Sequence, residues 1–379
     1  MALYFENKQE GPQTHILMIG VGAYPFLNGG DRFVAQRFDA AQSMGQLGSP
    51  SYSVKAFYEA ALRLNQNNCW AKPLGSIDVL LSVMPDFPEA FPGNVVEPAI
   101  RNNISDAYWR WKDKCDTHED NVALFFFCGH GLEKAGEQYL LAEDFGENPR
   151  SPWDGTFAFD MTRRAFSTCK AKTQIFMVDS CRQVTGDMLS TGIPMNPIEA
   201  PNLLARDCKY SLVQKAAATN EQAYGKVNEA SFYTKAIIKA LEGNAADNDS
   251  GNFWKVTTGT LAAKMNMFLQ AECASEGYAQ RCISTINDVT TLIHLNKPPE
   301  VPFSITCDPE QALKHAVLSY QELNTNEKDS RQPESGPWNV NVSAGLYMVE
   351  ASFAQKNYKN SKKYKPVAPP WANEQLNCN

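Results

Sequence analysis

Two residues that could act together in catalysis each follow an apolar run of strand length. His130 lies between two glycines after the run Val122–Phe127, and Cys181 follows the run Gln174–Val178. A cysteine thiol becomes a useful nucleophile when a histidine stabilises its thiolate and later protonates the leaving group. Glycines beside such a histidine let the backbone approach a substrate and present an N–H to a developing oxyanion. His130 and Cys181 are therefore candidates for a nucleophile and its acid–base partner.

The two side chains can meet only if their strands lie side by side. In an open parallel sheet, the loops at the carboxyl ends of neighbouring strands converge over one crevice, where ligands bind. His130 and Cys181 are 51 residues apart, which is long enough for a crossover that returns the chain to a neighbouring parallel strand. The spacing therefore predicts that both side chains lie at the same edge of a sheet.

The first 300 residues alternate short apolar runs with longer amphipathic stretches, as expected for a sheet covered by crossover helices. The continuous apolar run Val122–Phe127 is typical of a central parallel strand buried on both faces. Other predicted strands are His15–Val21, Ile77–Val83, Gln138–Ala142, Gln174–Val178 and Ser211–Ala217. Predicted helices are Ser53–Arg63, Asn103–Cys115, one from about Asp160, one capped by Ser231 and ending at Gly243, and Thr260–Gln270. The predicted fold class is α/β, with a mostly parallel sheet and helices on both of its faces.

The pattern changes near Pro298. Beyond it, Pro302–Thr306, Trp338–Val342 and Gly345–Ser352 alternate apolar and polar residues with a period of two, which indicates half-buried strands. We predict one domain over residues 1–299 and a small β-rich C-terminal module over residues 300–379, in which the last fifteen residues form a tail.

The two motifs, taken in order, resemble those of the caspase-like cysteine peptidases of clan CD, and within them the prokaryotic metacaspase-like branch. The strand–GHG element of that family fits Phe125–Gly131, and its strand–DSC element fits Ile175–Cys181. A histidine about 50 residues before the cysteine is a known feature of the caspase signature. The agreement extends over roughly residues 14–296, with HILMIGVGAYP near the start and AAATNEQAY after the second motif.

The resemblance implies a cysteine endopeptidase with Cys181 as nucleophile and His130 as general acid and base. It implies that the backbone N–H groups of Gly131 and Cys181 form the oxyanion hole, and that Asp179 lines the pocket for the residue before the scissile bond. A carboxylate there would favour Arg or Lys through charge-assisted hydrogen bonds and reject Asp. A second acidic pocket residue of the family aligns with Ser53, which predicts a less acidic pocket.

The chain departs from the family pattern in two further respects. Arg182 and Gln183 follow the cysteine, where metacaspases commonly have His-Ser-Gly, and the motif differs from the Q-A-C-R-G of the caspases that cut after aspartate. Asp144 lies near a family calcium-ligand position, but no partner ligands are identifiable in the sequence. We therefore predict no metal and no other cofactor, calcium being the one candidate.

The segment Arg182–Lys209 has 28 residues and occupies the place where caspase relatives are cut between their larger and smaller parts. Loops of this length are usually functional or mobile. The segment contains Arg206, which a pocket selective for arginine would accept. The resemblance thus implies a zymogen that is self-cleaved after Arg206.

The composition argues against several classes of partner. With 35 Lys and Arg against 42 Asp and Glu, the net charge is −7, so no global positive field attracts nucleic acid or an anionic membrane. No run of about 18 apolar residues and no secretory signal pattern occurs, and the ten cysteines include no C-x-x-C pair. We expect a cytoplasmic protein with reduced thiols, whose partners are a protein substrate and an activating protein.

Other interpretations of the same residues stay open. His130 could be an ordinary buried histidine, Cys181 a core thiol, and Asp179 a cap for the following turn. The chain could also be a catalytically silent scaffold with this fold, or a thiol acyltransferase or thioesterase that uses the same pair. Proteases of this kind are often encoded beside antiviral or cell-death effectors, so the resemblance also implies a role in bacterial defence or cell death.

Overall fold

The computed structural model of the chain describes residues 3–35, 43–84, 96–182, 195–202, 208–219, 221–248, 253–274, 276–355 and 357–379. The chain divides into two compact units. The first comprises Met1–Ile238 and Thr257–Leu292, and the second comprises Lys239–Val256 and Ile293–Asn379. The second unit includes all of the C-terminal module, residues 300–379.

A seven-stranded sheet in the first unit carries both candidate motifs. The strands up to residue 295 are β1 Leu3–Glu6, β2 Thr14–Val21, β3 Leu74–Ser82, β4 Val122–Cys128, β5 Gly131–Lys134, β6 Glu137–Leu141, β7 Thr156–Ala158, β8 Thr173–Asp179, β9 Tyr210–Lys215, β10 Trp254–Thr257, β11 Ile283–Asn287 and β12 Thr291–Leu295. The sheet has the order β1-β3-β2-β4-β8-β9-β11. Its five inner strands run parallel, and β1 and β11 pair antiparallel at the two edges. The predicted α/β class with a mostly parallel sheet is confirmed.

Five α-helices occur among the described residues. They are α1 Ser49–Gln66, α2 Arg101–Cys115, α3 Phe159–Ala165, α4 Phe232–Lys239 and α5 Thr258–Ala274. The predicted helix after Ser231 differs in its last turn: α4 passes into a π-helical turn over Ala240–Asn244, where Gly243 has a φ of 128°. No described helix has both the length and the apolar character needed to cross a bilayer.

Both faces of β4 are covered, which explains its unbroken apolar sequence. On one face Phe126 packs against Phe57 of α1, with ring centroids 4.7 Å apart. On the other, Phe125 packs against Trp111 of α2 at 6.2 Å and against Phe176 of β8 at 5.9 Å. Burying each of these side chains contributes roughly 1.5–3 kcal/mol, so the strand that leads to His130 is firmly held in the core of the sheet.

The second unit contains two packed sheets. Its further strands are β13 Glu300–Asp308, β14 Ala316–Glu322, β15 Lys328–Arg331, β16 Trp338–Ser343, β17 Gly345–Phe353, β18 Ser361–Val367 and β19 Ala372–Asn377. One sheet has the order β16-β13-β19 and the other β15-β14-β17-β18. Aromatic contacts join them, with Tyr320 and Trp338 at 5.3 Å and Phe303 and Tyr347 at 6.2 Å between ring centroids. The predicted β-rich C-terminus is confirmed.

The prediction that the last fifteen residues form a tail is wrong. Strand β19 pairs in parallel with β13, and Leu376 and Cys378 are fully buried in the core between the two sheets. Only two residues of β19, Ala372 and Leu376, are buried. With so few apolar positions, the period-two pattern of a half-buried strand is weak.

Candidate active site

The loops after β4 and β8 meet at one edge of the main sheet. The two strands pair in parallel with Cys128 opposite Asp179, and the Gly129 N–H donates to the Asp179 carbonyl at 3.2 Å. His130 and Cys181 each follow two residues after this pair. At Gly131 a Cβ atom would lie 2.5 Å from Ser180 Oγ, so glycine is what allows the two loops to touch.

The His130 imidazole is held in a defined orientation. Its Nε2 lies 2.7 Å from the Gly45 carbonyl oxygen, and its backbone N–H donates to the Tyr24 hydroxyl at 2.8 Å. A carbonyl oxygen can only accept, so Nε2 carries the ring proton and Nδ1 keeps its lone pair. Burial lowers the pKa of His130 to about 4, and the contact with Gly45 opposes this shift. The ring is therefore neutral at pH 7, with Nδ1 able to accept a proton.

Sequence reasoning did not identify Gly45 or Tyr24. The segment that carries Gly45 is fixed to Tyr24 by the Gln46 side chain, which accepts from the Tyr24 N–H at 2.8 Å and donates to the Tyr24 carbonyl at 2.9 Å. Tyr24 lies within the HILMIGVGAYP segment, whose resemblance to the family could have drawn attention to it. Gly45 acts through its main chain, so its residue type gives no comparable signal.

The Cys181 thiol is half-buried and contacts a neighbouring loop. Its Sγ accepts from the Ala223 N–H at 3.4 Å and lies 3.8 Å from the Ala223 carbonyl oxygen. Burial raises the pKa of the Cys181 thiol, the nearby Asp179 charge adds to the rise, and the Ala223 contact opposes it. In the free protein at pH 7, the Cys181 thiol and the His130 imidazole are thus both neutral.

The two predicted pocket residues, Asp179 and Ser53, are connected through Ser231. The Ser231 hydroxyl donates to Asp179 Oδ2, and the Ser231 N–H donates to Ser53 Oγ at 3.0 Å. Ser231 also accepts from the Thr234 N–H at 2.9 Å, which confirms its predicted role as the cap of α4. The sequence therefore identified Ser231 as a cap but not as the residue that joins the two candidate pocket residues.

Asp179 Oδ2 is the acceptor for three donors. Besides Ser231, the Thr234 hydroxyl donates to it at 2.8 Å and the Cys128 thiol at 3.4 Å. Burial raises the pKa of the Asp179 carboxyl, and the three hydrogen bonds oppose that rise because they stabilise the charged form. Its other oxygen, Oδ1, makes no hydrogen bond with any described residue.

Buried polar contacts fix the residues on both sides of Cys181. Before it, Ser180 Oγ accepts from the Gln138 side chain at 2.8 Å. After it, Arg182 Nε lies 3.0 Å from Glu133 Oε2, and both of these side chains are buried. Removing one member of a buried pair is strongly destabilising, so these contacts restrict the path of the loop that carries the thiol.

A second buried ion pair is connected to the residue before Cys181. Lys215 Nζ donates to both oxygens of Asp160, at 2.9 and 2.8 Å. Asp160 Oδ2 also accepts from the Gln138 N–H at 2.8 Å. The contacts therefore run continuously from β9 through α3 and β6 to Ser180, the residue before the thiol.

Asp144, which lies near a calcium-ligand position of the family, is engaged by a helix terminus. Asp144 Oδ1 accepts from the Arg101 N–H at 2.9 Å at the start of α2, so this carboxylate satisfies a helix terminus. Within the described ranges, no three His, Cys, Asp or Glu residues are grouped to hold a metal ion. Arg206 lies outside the described residues.

Comparison with known proteins gives three findings. A family model described as Peptidase_C14, caspase domain, matches residues 90–292, more than half of the chain. The uncharacterized protein y4kE of Sinorhizobium fredii is 27% identical over 281 residues, which cover 70% of this chain and 78% of that protein. A solved structure, protein GSU0716 from Geobacter sulfurreducens, is 12% identical with a TM-score of 0.43, and the match covers 73% of this chain and 93% of that chain.

Proposed function

The chain belongs to the Peptidase_C14 caspase-domain family of cysteine peptidases, and from this premise we propose that it cleaves a protein substrate with His130 and Cys181 as its catalytic dyad. The predicted resemblance to caspase-like peptidases is confirmed by the family match. The observation that carries the proposal is the parallel pairing of Cys128 with Asp179, which sets the second residue beyond each strand end at the same edge of the sheet.

The contacts of the two side chains support distinct roles, with Cys181 as the nucleophile and His130 as the general base and acid. Nδ1 of His130 takes the thiol proton as the sulfur attacks the scissile carbonyl carbon. The Gly45 carbonyl stabilises the imidazolium that forms, because Nε2–H already donates to it at 2.7 Å. The same Nδ1–H then protonates the amine that leaves. A water molecule hydrolyses the resulting thioester and regenerates the free thiol.

Two backbone N–H groups are available for the oxyanion. The Leu141 N–H donates to the His130 carbonyl at 3.1 Å, and hydrogen-bonded and non-hydrogen-bonded pairs alternate along an antiparallel ladder. The Gly131–Leu140 pair of β5 and β6 is therefore a non-hydrogen-bonded one, and the Gly131 N–H points out of the ladder. The Cys181 N–H donates to no backbone carbonyl of the described residues, and it lies close to the thiol of its own residue. Both groups could donate to an oxyanion without first losing a hydrogen bond to another backbone group.

We extend the proposal to cleavage after a basic residue, with arginine preferred. Asp179 is a buried carboxylate two residues before the nucleophile, and its Oδ1 is not taken by a described donor. An arginine side chain can satisfy that oxygen through a charge-assisted hydrogen bond. An aspartate side chain would be repelled there, as in the exclusion of like charges at other selective sites.

Labelling with a peptidyl-arginyl chloromethyl ketone tests the proposed activity. The reagent is expected to form a covalent adduct at Cys181, found by mass spectrometry of the digested protein. Cys181 and Cys208 are the two half-buried thiols of the chain, whereas the other eight are buried, so Cys208→Ala is the matched control and should leave labelling unchanged. Absence of an adduct at Cys181, together with no turnover of arginyl or aspartyl peptides, would favour the catalytically silent scaffold.

The rate of Cys181 alkylation by iodoacetamide should rise with pH. The pKa of this thiol is raised and that of His130 is lowered to about 4, so the thiolate is a minor species at neutral pH. Only the thiolate reacts, and the rate should increase about tenfold for each pH unit between 7 and 9. Rates would be measured in the Cys208→Ala background. A rate that stays constant between about pH 6 and 8 would instead indicate a resting thiolate–imidazolium pair.

We also propose self-processing after Arg206. The two fragments are expected to stay associated after this bond is cleaved. The segment before the cut is anchored to α2: Glu199 accepts from Lys112 Nζ at 2.6 Å and from the Tyr108 hydroxyl at 2.7 Å. After it, β9 lies within the main sheet. Wild-type protein should give two bands on a denaturing gel and one peak in size exclusion, and Arg206→Ala should stay intact. An Arg206→Ala protein that still breaks at the same bond would contradict this assignment.

A role in bacterial defence or cell death completes the proposal, supported by the family resemblance alone. Its test is phage challenge of cells that express either the wild-type chain or Cys181→Ala. Protection or host death that is equal in both strains would remove the peptidase from such a role.

A further inference from the structure

The outer face of the β16-β13-β19 sheet carries three asparagines, and we call its central part the amide face. It consists of Ser304 on β13, Asn339 and Asn341 on β16, Asn373 on β19, and the flanking Pro302 and Trp371. In the register of the sheet, Ser304 lies opposite Asn339 on one side and opposite Asn373 on the other, and Pro302 lies opposite Asn341. These outward positions therefore form one row across three strands, with the Pro302–Asn341 pair in the next row.

A shallow groove of about 340 Å³ lies on this face and is lined by these residues. That volume is at the lower end of the roughly 300–1,000 Å³ typical of small-molecule sites. Trp371 stands beside the groove with 43% of its surface exposed. A flat aromatic ring beside neutral hydrogen-bonding groups is a surface on which one face of a ring-shaped ligand can stack.

The amide groups are available to a ligand. The side chains of Asn339, Asn341 and Asn373 make no hydrogen bond with any described residue of the chain. Each amide offers two donors and an acceptor, and a sugar hydroxyl is likewise both donor and acceptor. Among the described residues, no lysine, arginine or carboxylate lines the groove. The two acidic residues of β13, Glu300 and Asp308, are the first and last residues of that strand.

We propose that the amide face binds a neutral oligosaccharide. One pyranose ring places its C–H face on Trp371, and its hydroxyls, with those of the next sugar unit, bond to Asn339, Asn341, Asn373 and Ser304. Anionic ligands are disfavoured because the lining offers no cation to compensate their desolvation. The site is independent of the proposed peptidase chemistry, since it lies within the second unit alone.

The surface of the other sheet of the same unit, β15-β14-β17-β18, differs from the amide face. On β17 and β18, Glu350 lies opposite Lys362 and Met348 opposite Tyr364, which is the mixture of charged and apolar groups of an ordinary protein surface. Tyr364 is 63% exposed, so it is more accessible than Trp371, and the residue opposite it on the neighbouring strand is Met348 rather than an asparagine. It provides a matched aromatic residue for a control variant.

The test is titration of the full chain with cellohexaose, maltohexaose, mannohexaose and N-acetylchitohexaose, followed by tryptophan fluorescence and isothermal titration calorimetry. At least one of these is expected to bind saturably, and an anionic heparin hexasaccharide is not. Trp371→Ala should weaken binding by about tenfold or more, the loss of one stacking contact. Asn339→Ala combined with Asn341→Ala should weaken it comparably, and Tyr364→Ala should leave it unchanged.

Two groups of outcomes would overturn the proposal. One is the absence of binding to all four oligosaccharides and to every neutral glycan on a glycan array. The other is binding that Trp371→Ala and the asparagine pair leave unchanged, or that heparin shares equally. The substituted residues are exposed or partly exposed, so each variant is expected to fold, and an unchanged circular dichroism spectrum would establish this.

Discussion

Replacing Cys181 with alanine is expected to lower kcat/KM for a peptidyl-arginyl fluorogenic substrate by at least about 10⁴-fold. The variant has no atom that can form the thioester, so any remaining turnover must come from water held near the oxyanion donors. Those donors are backbone groups that the substitution leaves in place. The measurement is initial rates of wild type and variant at equal concentration of folded protein.

Two companion variants make this result specific. Cys208→Ala removes the other half-buried thiol and should keep wild-type kcat/KM. The kcat/KM of His130→Gln should be nearly as low as that of Cys181→Ala. The double variant should have no lower kcat/KM than Cys181→Ala, because residues that act as a unit have non-additive effects. Activity that survives in Cys181→Ala, or losses that multiply in the double variant, would remove the dyad from the mechanism.

The elements that position the proposed dyad were predictable because their signals are local. Val122–Cys128 and Thr173–Asp179 are continuous apolar strands that end in polar residues, and parallel pairing follows from the alternation with helices. Together these imply a common edge for His130 and Cys181. This prediction required only that both strands be recognised and that they be taken as neighbours running in the same direction.

The remaining parts of the site depend on tertiary structure. The Gly45 carbonyl contacts His130, although Gly45 lies 85 positions earlier in the chain. Every residue type has a main-chain carbonyl, so the sequence does not indicate which one will accept. Ser231 was predictable as a cap, but its bond to Asp179 depends on how α4 meets the end of β8. Strand β19 was missed for a related reason, since its parallel partner β13 begins 72 residues earlier and the strand itself has few apolar residues.

Asp179→Asn is expected to lower kcat/KM for an arginyl substrate by about 10²- to 10³-fold. Removing one charge of a desolvated ion pair costs roughly 2–5 kcal/mol, partly because the other charge is left unpaired. For a substrate with citrulline, a neutral isostere of arginine, the loss should be tenfold or less. Asparagine keeps the size of Asp179 and can still accept from Ser231 and Thr234, so the comparison isolates the charge.

The ratio between the two substrates distinguishes a binding role from a structural one. Asp179 is buried and receives three hydrogen bonds. A variant that only loosens the loop would therefore lower kcat/KM equally for the two substrates. A fall for arginine alone indicates direct pairing with the substrate. Equal falls, or an unchanged preference for arginine, would contradict the proposed specificity and leave Asp179 as a residue that positions Cys181.

Thr234→Val tests the same carboxylate through its pKa. The Thr234 hydroxyl donates to Asp179 Oδ2 at 2.8 Å and thereby opposes the rise in pKa that burial causes. Without this donor the pKa of Asp179 should rise further, because a hydrogen bond to the charged form has been removed. The acid limb of the kcat/KM profile for the arginyl substrate should move to higher pH, while the profile for the citrulline substrate should not. Only a carboxylate that is ionised when it binds substrate produces that difference.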